Sequence, residues 1–104
     1  MLPHRHSWRV ELSFDLKLPV EFRRVGARRW LMGYTEDMGS YRVRFRSGEW
    51  VQPNSRIEMI FRMPVADLCN LVCTGVVLRV DLPSQPGLLP TIASTIDEYR
   101  FVRQ

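Results

Sequence analysis

From Trp8 onward the even positions Val10, Leu12, Phe14, Leu16, Leu18, Val20 and Phe22 are apolar, while Glu11, Ser13, Asp15, Lys17 and Glu21 between them are polar. A period of two over about fifteen residues is the pattern of extended chain with one face buried and the other wet. Pro19 interrupts it. A proline has no N–H to give to a ladder, so a break or an edge is expected there. Val25-Gly26-Ala27 supplies a glycine-led turn of the hairpin type, followed by a less clearly alternating stretch, Arg28 to Thr35, and a predicted turn at Glu36-Asp37-Met38-Gly39.

Ser40 to Ser47 is the cleanest strand, with Tyr41, Val43 and Phe45 on one face and Arg42, Arg44 and Arg46 on the other. After a turn at Gln52-Pro53-Asn54-Ser55, Ile57, Met59, Phe61 and Met63 share a face opposite Glu58, Ile60 and Arg62. Pro64 to Asn70 reads as loop, Leu71 to Leu82 as strand, Pro83 to Gly87 as loop and Leu88 to Ile96 as a last strand. Asp97 to Arg103 reads as a polar-aromatic tail whose Tyr99 and Phe101 are expected to cover one end of the fold. No stretch of ten or more residues has a capped 3.6 period, so helix is expected to be at most a short C-terminal piece. Six short strands separated by turn signals predict an all-β antiparallel barrel or tightly packed sandwich. In a chain of 104 residues this is a single domain, with residues 1–17 as an N-terminal arm and extended segment and 18–104 as the barrel.

Composition narrows the function. Apolar residues make up 45% of the chain and charged residues 25%, as in an ordinary globular domain. No apolar run reaches the roughly 20 residues of a spanning helix, and Met1 to His6 lacks the apolar core of a secretory signal, so a cytoplasmic protein without membrane insertion is expected. Of fifteen basic residues, fourteen are Arg and only Lys17 is Lys. Planar guanidinium forks suit two-point contact with phosphate or carboxylate. Up to Arg46 ten basic residues face five acidic ones, whereas from Ser47 onward five face six, so an anionic partner should meet the first half. Cys69 and Cys73 lie too far apart in a strand for a disulfide and lack further ligands for zinc, which makes them small core residues of a reducing compartment. His4 and His6 are the only histidines, and there is no phosphate loop, nucleophile elbow or His-Glu-x-x-His. No catalytic residues, cofactor or metal are therefore expected, and the protein is read as a non-enzyme.

The words Arg5-His6-Ser7-Trp8-Arg9, Asp37-Met38-Gly39-Ser40-Tyr41-Arg42, Leu18-Pro19-Val20-Glu21-Phe22-Arg23, Thr74 to Val80 and Ile96 to Phe101 together resemble the PilZ domain family over nearly the whole chain. That resemblance implies a small six-stranded antiparallel PilZ-like β-barrel that binds cyclic di-GMP. The family uses an Arg-x-x-x-Arg motif before the barrel and an Asp/Asn-x-Ser-x-x-Gly motif some 20 to 30 residues later; here 27 residues separate Arg9 from Asp37. By this resemblance Arg5 and Arg9 bind phosphate or the guanine edge, Asp37 reads guanine N1 and N2, and Gly39 and Arg42 complete the site. Gly39 stands where the family has Ser and Arg42 where it has Gly. A lost hydroxyl removes one hydrogen bond, and Arg in place of Gly either intrudes on the ligand or becomes a phosphate contact. A second Arg-x-x-x-Arg, Arg24 to Arg28, falls in the predicted hairpin turn only eight residues before Asp37.

Three functions are consistent with these features. The first is a non-catalytic cyclic di-GMP receptor that signals to a protein effector. The second is a degenerate barrel of the same kind that binds protein and no nucleotide. The third is single-stranded nucleic-acid binding, with Trp30, Tyr34 and Trp50 as stacking platforms, and it ranks last.

Overall fold

The computed structural model describes residues 13–14, 17–63 and 69–103. The strands are β1 (Ser13–Phe14), β2 (Pro19–Arg24), β3 (Leu31–Gly39), β4 (Arg42–Arg46), β5 (Arg56–Arg62), β6 (Cys69–Asp81), β7 (Thr91–Thr95) and β8 (Glu98–Arg103). All pairings are antiparallel. Neighbouring strands form two meanders, β2-β3-β4 and β5-β6-β7. Two seams between residues distant in sequence, β2 to β5 and β4 to β7, join the meanders into a closed ring. The fold is the expected all-β, six-stranded antiparallel barrel of PilZ-like kind, with β1 and β8 as short additions outside the ring. Among the described residues there is no helix, and so none long and apolar enough to cross a membrane.

The alternation seen in the sequence sets the core. Val20, Phe22, Val43, Phe45, Ile57, Met59, Phe61, Val77 and Ile92 are fully buried, and Leu18, Leu71, Cys73 and Ile96 are nearly so. Phe22 and Phe45 cross the interior at a centroid distance of 4.8 Å, tilted at 59°. Cys73 is in the core while Cys69, on the same strand, is half-buried, and both are free thiols.

Pro19 acts as expected. It opens β2 opposite Tyr34, and the break before it is pinned by paired bonds: Leu18 N–H donates to Thr35 Oγ1 at 2.7 Å and Thr35 N–H to Leu18 O at 2.8 Å. The predicted Glu36-to-Gly39 turn is instead the second half of β3. Thr35 pairs with Phe45 and Asp37 with Arg44, so Glu36 is the extra residue of a β-bulge. The bulge resets the alternation: Thr35 and Met38 both point inward, which leaves the adjacent acids Glu36 and Asp37 on the outside. The chain reverses at Ser40-Tyr41, which makes Tyr41 half-buried where a core position was expected; its carbonyl accepts from Ile96 N–H at 2.7 Å.

A second bulge at Leu78, between the pairs Val77 with Ser94 and Arg79 with Ala93, turns Leu78 and Arg79 outward together. The expected terminal tail, or short helix, is strand β8, which continues the line of β7 along β6 and pairs Tyr99 with Cys73 and Phe101 with Leu71. Tyr99 packs against the core, but Phe101 is 63% exposed and so does not close the barrel end. β6 starts at Cys69, inside the expected loop, and β7 is shorter than the expected Leu88-to-Ile96 strand.

Candidate functional site

Asp37, Gly39 and Arg42 belong to one hairpin. β3 and β4 pair Met38 with Val43 on the inner face and Asp37 with Arg44 on the outer. Alternation then puts Gly39 and Arg42 on the outer face as well, next to the reversal. β1 lies on the other side of this end of β3, with Ser13 opposite Gly39, while Arg42 is opposite Thr95 of β7. Arg5 and Arg9 lie outside the described residues.

The outer face carries ladders of opposite charge, made possible by the bulge. Arg44 donates through Nε at 2.9 Å and Nη2 at 2.5 Å, both to Asp37 Oδ2. Arg46 Nε lies 2.8 Å from Glu36 Oε2, and Arg46 Nη1 donates to the Leu89 carbonyl at 2.7 Å. The hydrogen bond to Asp37, and after it the attraction of the carboxylate charge, raise the Arg44 pKa above its usual value, so Arg44 is a permanent cation. Asp37 Oδ1 accepts no hydrogen bond among the described residues, and Arg42 is exposed with no ion pair among them. The expected outward row of Arg42, Arg44 and Arg46 is therefore present, with Arg44 and Arg46 each held by an acid of β3 and Arg42 open to solvent.

Chemically, this hairpin offers a carboxylate with one free oxygen, an available guanidinium and, at Gly39, a position with no side chain between them and β1. Such a set can accept from N–H donors and contact an oxyanion. The role of Arg44 was not legible in the sequence: without the bulge, Asp37 would point inward and face no arginine of β4.

The aromatic residues are arranged differently from a stacking surface. The Arg23 guanidinium sits 4.2 Å from the centroid of Trp30, and the Lys17 ammonium 5.3 Å from that of Tyr34. Two of the three expected platforms thus have a face occupied by a cation of the chain itself, leaving Trp50, 44% exposed, without such a cover among the described residues.

No protein-family profile matches the chain, and no curated protein matches it. Its fold is similar to a solved structure of the Bacillus subtilis inhibitor of motility (MotI/DgrA), with a TM-score of 0.70 at 13% sequence identity. The match covers 95% of this chain and 44% of that one, so this chain spans less than half the length of the protein it resembles. At that identity the similarity is one of fold.

Proposed function

We propose that the chain is a non-catalytic, cytoplasmic cyclic di-GMP receptor on a PilZ-like barrel, which passes the nucleotide signal to a protein partner. The observation that carries this reading is the β3–β4 hairpin, where Asp37 Oδ1 and Arg42 are both available on the outer face beside Gly39. A guanine Watson–Crick edge presents N–H donors to such a carboxylate, and the phosphates suit a guanidinium. The position of β1 supports the reading further. Ser13, four residues after Arg9 in the sequence, is paired with Gly39. The fold similarity to an inhibitor of motility agrees with a signalling role.

Calorimetric titration with cyclic di-GMP tests the proposal. Binding that weakens in Asp37→Asn, with Arg44 left in place, supports it; no heat at about 1 mM nucleotide, corresponding to less than about 4 kcal/mol of binding free energy, rejects it.

A second reading, the same barrel as a protein-interaction module without nucleotide, is favoured by the pairing of Asp37 with Arg44 together with the residues at positions 39 and 42. The single substitutions Gly39→Ser and Arg42→Gly separate the two. A gain in nucleotide affinity in either identifies an eroded pocket. A loss in Arg42→Gly identifies Arg42 as a phosphate contact.

A further inference from the structure

The other end of the barrel holds a second concentration of arginine. It begins with the reversal Arg24-Val25-Gly26-Ala27, closed by a bond of 2.9 Å from Ala27 N–H to Arg24 O. Gly26 is its third residue and has φ +93°, as a type II turn requires. Such a turn holds its first and fourth Cα atoms, those of Arg24 and Ala27, within about 7 Å, and Arg28 follows directly on Ala27. Arg24 and Arg28 line an open surface cavity of about 400 Å³, together with Arg23 and Arg29. Its apolar wall is made by Ala27, Leu31 and Val51.

The charge of this cavity is only partly balanced. Arg23 is bonded to Glu58 at 2.8 Å and Arg29 to Glu49 at 2.6 Å. Arg24 and Arg28 are exposed and have no ion pair among the described residues. Two guanidinium charges are left over among the residues that line one cavity, which also has an apolar wall. A phosphate monoester carries about −1.5 to −2 at neutral pH on three acceptor oxygens, which matches that excess, whereas a lone carboxylate supplies half of it.

We propose that this cavity binds a small phosphate monoester with an apolar or flat organic group, the phosphate between Arg24 and Arg28 and the organic group against Leu31 and Val51. The site is independent of the β3–β4 hairpin: Leu31 and Gly39 are the two ends of β3, about 25 Å apart along the strand. Neither the second Arg-x-x-x-Arg of the sequence nor this cavity is used by the nucleotide site proposed above.

Phenyl phosphate is the probe, with phenol and inorganic phosphate as its separate halves, titrated into isotopically labelled full chain and followed by amide NMR shifts. Saturable shifts at Arg24, Ala27, Leu31 and Val51 are expected, with phenyl phosphate binding more tightly than either half. Arg24→Gln and Arg28→Gln should each weaken it by about tenfold or more, the usual worth of a charge-assisted bond. Arg103→Gln, which removes the same charge from the exposed far end of β8, opposite Cys69, should leave the affinity unchanged. The proposal is overturned if no saturable shift occurs at about 10 mM probe, a limit near 3 kcal/mol of binding free energy. It is equally overturned if the three variants behave alike, or if inorganic phosphate binds as tightly as the ester.

Discussion

Replacing Gly75 by Ala tests the closest approach of backbone to any glycine among the described residues. Gly75 is buried on β6 opposite Ile57 of β5, at the point where the chain passes from β7 to β8. A Cβ built there would lie 1.9 Å from the Thr95 carbonyl oxygen and 2.9 Å from Ser94 Oγ. The Thr95 backbone would have to retreat by about 1 Å to reach even 3.0 Å, and it has no slack. Thr95 Oγ1 accepts from Val76 N–H at 2.8 Å, and Asp97 N–H donates to Thr74 O at 2.8 Å.

Losing or stretching these two bonds costs about 0.5 to 1.5 kcal/mol each, and forced displacement of packed backbone adds about 1 to 3 kcal/mol, for a total near 4 kcal/mol. In a domain of this size that lowers the melting temperature by roughly 16 to 32 °C. Gly26→Ala provides the scale. Its φ of +93° is strained for alanine, but nothing lies within 4 Å, so it should cost only about 1 to 2 kcal/mol. Urea denaturation of both variants, read as midpoint shifts at constant slope, makes the comparison. A Gly75→Ala variant no less stable than Gly26→Ala would refute the close approach of β6 and β7.

Thr35→Val keeps the shape of a fully buried side chain but leaves the Leu18 N–H without its acceptor, and should cost about 1 to 3 kcal/mol by denaturant unfolding. The exposed pair of Arg29 and Glu49 gives a signed pH prediction: hydrogen bonding to Arg29 holds the Glu49 carboxyl below its usual 4.5, so its NMR titration midpoint should rise towards 4.5 in Arg29→Gln. Because the carboxyl is depressed in the folded protein, whatever stability the pair contributes is present above the ordinary glutamate pKa and is lost as pH falls through the lower folded value. Under the receptor proposal, Arg9→Ala should weaken cyclic di-GMP binding by roughly 10- to 150-fold with little change in thermal stability, as measured by calorimetry and melting.

The inner faces were legible because burial on a pleated strand has a period of two. Val20 and Phe22, Val43 and Phe45, and Ile57, Met59 and Phe61 were all identified by that rule, and all are buried. What the rule missed are the places where the period slips. Glu36 and Asp37 are adjacent acids that resemble a turn, yet a single bulged residue lets both face solvent within a strand. β8 reads as a tail because Ile96-Asp97 interrupts the alternation, and the strand leaves Phe101 exposed. The outward set of Arg42, Arg44 and Arg46 could be read from the sequence, but the partners could not. Which acid meets which arginine depends on register across β3 and β4, and register follows from the bulge.

The two-meander construction of the ring has a consequence for how the protein folds. Within each meander the chain needs only short loops to bring strands together, so either set of hairpins can form early and independently. Neither, however, can bury Phe22, Phe45 or Phe61 until the seams from β2 to β5 and from β4 to β7 close, and these join residues some 30 to 50 positions apart. Closing such loops is the slow part of forming a β-barrel, and places folding in the millisecond-to-second range. Until then each meander has two unpaired outer strands and one bare apolar face, the state most prone to join another chain in place of its own other half. Because both seams must be made for either to enclose the core, they should form in a single cooperative step, and mutations along β2 or β4 should slow folding more than equally destabilising ones in the turns.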